Sequence, residues 1–280
     1  MFTLTISLSP VVLKLGTFEV HWYGVMVALA VAAVIAISLR EAKRLGVAAD
    51  HIYNLAIWAV LAGIIMSRLL HVIDEWHYYL AHPQQLLSFA GLTIYGAVLG
   101  ALVAVIVYAW TKKLSFWRLA DIVAPGAILG QAIGRIGCTI NGCCYGLENP
   151  PWWAGAIVYT NPEHALLGTP INVPLYPTQL YHLVWNLMGF AVLLSLRKRL
   201  APQGTLFLLY LAIYAAGDLT IRLAREGEPF FLGLQQAQLI GIITLLVTVP
   251  WLAIRMWLAR QKAAFQAGDE VSPPGQSPGA

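Results

Sequence analysis

Charge is scarce in this sequence. Only 11% of the 280 residues are Asp, Glu, Lys or Arg, and 59% are hydrophobic. Soluble domains carry about one-quarter charged residues, so an ordinary soluble domain is excluded. Long apolar runs recur along nearly the whole chain, which predicts a polytopic membrane protein. The formal charge of +4 is spread between the apolar runs and forms no single patch. That argues against a nucleic-acid partner. Cysteine is rare too: there are three, an odd count that excludes a fully paired disulfide framework. The N-terminus lacks a basic start, and Pro10 breaks its apolar run, so it does not read as a signal peptide. Alternation at Phe2, Leu4, Ile6 and Leu8 predicts short strands or an interfacial segment.

The apolar runs divide into about seven candidate spans: 22–40, 52–73, 87–110, 118–137, 177–196, 204–224 and 236–258. The fold class expected is an all-α polytopic membrane protein. No soluble-like block interrupts the runs, so 1–262 reads as one integral membrane domain and 263–280 as a disordered tail. Gly91, Gly96 and Gly100 interrupt the third span. Pro125, Gly126, Gly130, Gly134 and Gly137 interrupt the fourth, where neighbouring helices must satisfy freed backbone groups or a cavity must be lined.

The loops sort by charge. Arg40, Lys43 and Arg44 follow span one, Lys112, Lys113 and Arg118 follow span three, and Arg197, Lys198 and Arg199 follow span five. Arg255, Arg260 and Lys262 flank the end of span seven. The opposite loops carry Asp74 and Glu75, and 138–176 has no Lys or Arg at all. The positive-inside rule then places the N-terminus outside and the C-terminus in the cytoplasm. Segment 138–176 becomes an external arm, long enough to read as functional.

Ionisable residues inside spans are costly and mark candidate sites. Arg68 lies near the outer end of span two, before His71 and Asp74, and reads as an ion pair or a ligand contact. Asp121 and Arg118 sit near the cytoplasmic end, where snorkelling or pairing explains them. Asp218, Arg222 and Arg225 are spaced i, i+4, i+7, which predicts one helix face. Arg135 gives the strongest signal. It sits one turn before the outer end of span four, within GRIGCTINGCCYG (134–146). Its fork suits bidentate phosphate recognition.

Cys138, Cys143 and Cys144 share that stretch with the spacing C-x4-C-C. The C-x2-C pairs common in zinc sites are missing, so no metal is expected. Either later cysteine could bridge to Cys138, or all three could be small buried hydrophobes. His164 and His182 are the histidines that the fold could bring near.

Several blocks in order resemble the prolipoprotein diacylglyceryl transferase family over about residues 20–260. HWYGVMVALA (21–30) resembles its first-helix block, with Tyr23 at the functional tyrosine. SRLLHVI (67–73) resembles the arginine block. ADIVAPGAILGQAIGRIG (120–137) leads into the signature GRIGCTINGCCYG, which matches at Arg135, Asn141 and Gly146. YPTQLYH (176–182) resembles the block that opens the next helix, and LQQAQLIGI (234–242) the start of the last.

The resemblance implies transfer of the diacylglyceryl group of phosphatidylglycerol to the lipobox cysteine of a prolipoprotein signal peptide, with no cofactor, in a bacterial plasma (inner) membrane. It implies catalytic roles for Arg135, Tyr95, Asp218 and Arg222. Tyr23, Asn141, Gly146, Arg68 and Arg225 join Arg135 in substrate binding. Tyr95 stands where the family has a histidine, Asp218 and Arg222 exchange the family's charges, and Cys138 and Cys143 replace an asparagine and an acidic residue. The alternative is a member of the same fold that binds anionic lipid or lipidated peptide without this chemistry. A small-anion transporter is a third reading, but the spans show no paired halves.

Overall fold

A computed structural model describes residues 2–16, 18–85, 93–225, 227 and 229–271. It is mainly helical. Three short strands open it: β1 (Thr3–Ile6), β2 (Val11–Leu15) and β3 (Phe18–His21). Helices α1 (Trp22–Arg44), α2 (Ala49–Asp74), the short α3 (Trp76–Ala81), α4 (Ile94–Thr111) and α5 (Phe116–Asn141) follow. Strand β4 (Ala156–Tyr159) precedes α6 (Thr178–Leu196) and α7 (Thr205–Ile221). The hairpin β5 (Pro229–Phe231) and β6 (Leu234–Gln235) leads into α8 (Gln236–Val271).

Six of these helices are long and apolar enough to cross a membrane, and α4 is a shorter apolar helix. Together they match the seven candidate spans, although residues 87–92 of the third lie outside the described residues. The last helix continues past residue 262 to Val271, into the segment expected to be disordered; 272–280 lie outside the described residues. Pro125 and the glycines do not break span four, for α5 is one continuous helix. Proline removes one helical hydrogen bond, which surrounding structure can tolerate. The glycines serve close packing: a Cβ on Gly126 would lie 2.9 Å from the Val34 carbonyl oxygen.

The chain forms two compact units, residues 1–29 with 131–280, and residues 30–130. In the second, α2 packs along α4 through small residues. A Cβ on Gly96 would sit 2.5 Å from both the Met66 carbonyl oxygen and Ser67 Cα, and Gly100 lies equally close against Ala62. Backbones approach this closely only where side chains are absent. The outward faces of α2 remain apolar, with Ile57, Trp58, Ile64 and Ile65 exposed. That is the pattern of a helix solvated by lipid rather than water. Arg118 donates to the Leu45 carbonyl at the basic end of this unit. Beneath lies a cluster of Ala42, Ile52, Leu55, Tyr108, Leu119 and Ile122.

In the first unit, β1 pairs in parallel with β4, from Thr3 opposite Ala156 to Ile6 opposite Tyr159. The alternation seen in the N-terminal sequence therefore marks a strand whose partner lies in the arm. Ile157, Tyr159 and Leu175 are fully buried there, with Leu4, Ile6, Tyr145, Ile171 and Val173 around them. Further along, Gly217 of α7 admits the Trp185 ring of α6, whose Nε1 donates to the Ile213 carbonyl at 2.8 Å.

Gly96→Ala is expected to lower the melting temperature of the detergent-purified chain, through overpacking of about 1–3 kcal/mol. Gly24→Ala on α1, where a Cβ meets nothing within 4 Å, is expected to leave it unchanged or raise it. Equal shifts would contradict the close packing.

Candidate active site

The end of α5 carries the candidate site. Helix ends leave carbonyls without intrahelical partners, and an unsatisfied group in lipid costs several kcal/mol. Here buried side chains take them one by one. Tyr159 donates to the Thr139 carbonyl at 2.9 Å, and His164 Nε2 lies 2.9 Å from that of Ile140. Thr169 Oγ1 reaches the Gly142 carbonyl at 2.8 Å, Gln179 Nε2 that of Cys143 at 2.9 Å, and Thr178 Oγ1 that of Cys144 at 2.6 Å. The Cys143 N–H bonds back to the Cys138 carbonyl at 3.2 Å. Burial pushes the Tyr159 phenol up from its ordinary value, so it remains a donor near neutral pH.

Two left-handed residues turn this loop, Gly142 (φ 76°) and Cys144 (φ 64°). The first suits glycine; the second is uncommon for a residue with a Cβ. Gly146 closes the loop. Its N–H donates to the Tyr176 carbonyl at 3.0 Å. A Cβ there would strike the Ala224 carbonyl and lie 2.6 Å from Tyr176 Cβ, so the position admits glycine alone.

Arg135 is half-buried one turn earlier. Its charge interacts with Tyr214, Cys138, Cys144 and Asp218. Asp218 is buried on α7, and its Oδ2 accepts from Arg222 Nε at 2.6 Å. The i, i+4 pair expected from the sequence is therefore formed. Its Oδ1 faces His182 Nε2 at 3.7 Å, beyond hydrogen-bond reach.

Arg225 does not share that helix face. Helix α7 ends at Ile221, Arg222–Ala224 form a 3-10 turn, and Arg225 is extended (φ −124°, ψ 139°). Its charge still acts on Cys144 and His182. Its backbone carbonyl is held by Gln235 Nε2 at 3.0 Å, while its buried Nε has no hydrogen-bond partner among the described residues.

Asn141 is the last residue of α5, and its side chain hydrogen-bonds Cys143. Tyr23 opens α1 in the same unit, with its Cα 3.5 Å from the position of a Cβ on Gly137. Tyr95 and Arg68 belong to the other unit. Tyr95 is exposed on the first turn of α4. Arg68 donates to the Gln85 carbonyl at 2.7 Å and lies over the Tyr79 ring, 5.1 Å from its centroid.

Beside His182, already a candidate from the sequence, the structure places two residues not expected at the site, Gln179 and Asn186. Gln179, His182 and Asn186 are fully buried on α6 at spacings of three and four, one polar stripe on an apolar helix. Gln179 Oε1, His182 Nε2, both amide atoms of Asn186 and Asp218 Oδ1 lack hydrogen-bond partners among the described residues. Buried polar groups are nearly always paired, so a set left open beside Arg135 and Asp218 is what a polar ligand would complete. The signal was present in YPTQLYH and the asparagine four residues on, where amides and histidine recur at helical spacing.

The three thiols are free and gathered: their sulfurs lie within 4.8 Å of one another. Hydrogen bonds from Cys138 and Cys143 lower the Cys144 thiol from its ordinary value, and the charges of Arg225 and Arg135 add to this. The arrangement combines three guanidiniums, a buried carboxylate facing a buried histidine, and a cluster of sulfurs on a fixed loop. It can bind an anion and hold a soft nucleophile or ion beside it.

Comparison with known proteins agrees with this chemistry. A family profile described as prolipoprotein diacylglyceryl transferase matches residues 10–254. A phosphatidylglycerol–prolipoprotein diacylglyceryl transferase of Dehalococcoides mccartyi (strain ATCC BAA-2266 / KCTC 15142 / 195) is 41% identical over 260 residues, covering 92% of this chain and 97% of its own. Proteins of the same name from Bacillus licheniformis, at 35% over 270 residues (92% and 97%), and Trichormus variabilis, at 36% over 261 residues (89% and 91%), are similar over nearly the same extent. A match along almost the entire length leaves one conclusion: the chain belongs to the prolipoprotein diacylglyceryl transferase family.

Proposed function

We infer that this protein is a membrane transferase that moves the diacylglyceryl group of phosphatidylglycerol to the lipobox cysteine of a prolipoprotein. The carrying observation is Arg135, half-buried beside a fixed loop and an unfilled set of buried polar groups. The thiol gives up its proton to water, its sulfur bonds as thiolate to an sp3 carbon of the glyceryl unit, and the bond from that carbon to the phosphate oxygen breaks. Glycerol phosphate departs with the electron pair. Guanidiniums placed where that charge develops lower the barrier, and Arg135, Arg222 and Arg225 fit that task. Asp218 fixes Arg222 through a charge-assisted bond. Tyr23 and Asn141 would orient the head group, and Gly146 keeps the loop closed. Tyr95 and Arg68 enter this reading on the family resemblance alone. Tyr95 is a poor base near neutral pH.

The loop charges support an external N-terminus and arm with a cytoplasmic C-terminus, so that lipid and prolipoprotein would meet at the outer face of the inner membrane. The lipobox would be received by the arm. A member of the fold that binds lipid without transferring it remains the rival, favoured by Tyr95 and by the exchanged Asp218–Arg222 charges.

In a purified assay with phosphatidylglycerol and a lipobox peptide, Arg135→Ala is expected to lower turnover by about 10²–10³-fold. Arg135→Lys should recover only part, because a point charge does not replace a bidentate fork. Unchanged turnover in Arg135→Ala would remove the phosphate role. Asp218→Asn should cost about 10- to 100-fold in kcat/KM, the worth of one charged hydrogen bond; a wild-type value would make the pair purely structural. For orientation, a C-terminal green fluorescent protein fusion should fluoresce and a C-terminal alkaline phosphatase fusion should be inactive. The opposite pattern would invert the topology.

A further inference from the structure

The phosphate site leaves the three cysteines unexplained. The family pattern does not require them, yet the loop is built around them. Cys138 comes from the last turns of α5, and the left-handed Gly142 and Cys144 turn the two consecutive cysteines back toward it. All three sulfurs fall within 4.8 Å of one another, the one such grouping of potential ligand residues found among the described residues. Left-handed backbone at a non-glycine residue is retained where surrounding structure holds it. Here Gln179 and Thr178 hold the carbonyls of Cys143 and Cys144.

Three sulfur donors close together are the ligand set of a thiophilic d10 ion. A structural zinc site is closed by a fourth protein ligand, whereas a catalytic one keeps three and leaves the fourth position to water or substrate. His164 is not free to be that fourth ligand, since its ring nitrogens lie 2.9 Å from the Ile140 carbonyl and 3.3 Å from that of Asn161. The side of the cluster at Cys143 and Cys144 is partly exposed, and so reachable. Three thiolates with a divalent ion carry one net negative charge, which faces Arg135 and Arg225.

The reaction inferred above consumes a thiol, and only its thiolate attacks. A thiol bound to zinc is deprotonated outright. We propose that Cys138, Cys143 and Cys144 hold a zinc ion whose open position takes the lipobox thiol of the prolipoprotein and presents it as a thiolate beside Arg135. This rests on the transferase reading. The proton leaves the thiol on binding and goes to water, then to the departing phosphate. The sulfur–carbon bond forms as the carbon–oxygen bond breaks, with no change in the oxidation state of the metal. The neutral thioether product is a weaker ligand and dissociates.

The full chain, purified in detergent with a phosphine reductant and no chelator, is the material for the test. Metal analysis should find stoichiometric zinc, and the double variant Cys143→Ser, Cys144→Ser should weaken zinc binding by more than the about 10–100-fold that loss of an outer-shell partner costs. Cobalt(II) exchanged into the site should give sulfur charge-transfer and tetrahedral ligand-field bands. A lipobox peptide with cysteine should shift those bands; the same peptide with serine should not. The proposal is overturned if reduced wild-type chain binds zinc no better than the double variant. A cobalt spectrum indifferent to the cysteine peptide overturns it as well, as does zinc-free enzyme that transfers lipid at the full rate. Failure of the transferase reading looks different: no lipid transfer by zinc-loaded chain, with metal and peptide binding intact.

Discussion

The site depends on one constraint, the need to satisfy the carbonyls of a loop that leaves a membrane helix without continuing it. A buried carbonyl left without a partner is costly, and here protein side chains supply each one. Tyr159, His164, Thr169, Thr178 and Gln179 each take one carbonyl between Thr139 and Cys144. Those donors come from β4, the arm and the start of α6. The arm is in turn anchored by β1, which crosses from the N-terminus to pair with β4. Much of this unit therefore serves to hold a short glycine-jointed turn still.

Fixing that turn places charge as well as backbone. Arg135 sits one helical turn before it, and Gly146 after it lies against the carbonyl of Ala224, next to Arg225. The loop thus ties the end of α5 to the end of α7. Asp218 offsets part of the positive charge through Arg222, at 2.6 Å, and leaves its second oxygen toward His182. A cationic cluster with a buried carboxylate and open amides is suited to a phosphodiester that is held and then released as a more highly charged phosphate.

The spans were legible because bilayer thickness writes itself into sequence as local apolar length. The Asp218–Arg222 pair was legible for the same reason, since i, i+4 contacts depend only on helix geometry. Arg225 was misplaced because nothing in the sequence revealed that α7 ends at Ile221. The glycines of span four looked like breaks, whereas Gly126 and its neighbours relieve crowding inside a continuous helix. The parallel pairing of β1 with β4 joins residues from the N-terminus and the arm, and such long-range contacts leave no periodic trace. Gln179, His182 and Asn186 were visible as polar residues, but their joint burial beside Asp218 depends on how α6 packs on α7. The gathering of the three sulfurs likewise follows from two left-handed residues, one of them not a glycine.

The account's central claim is that transfer rests on this held loop. It is tested most directly in a bacterial strain depleted of its own transferase, complemented with the chain and with a Thr178→Val, Gln179→Leu variant. The account predicts that the wild-type chain lipidates a reporter prolipoprotein and restores growth, while the variant, present in the membrane at equal amount, does neither. A wild-type chain that reaches the membrane without lipidating the reporter, or a variant that matches it, would contradict the account.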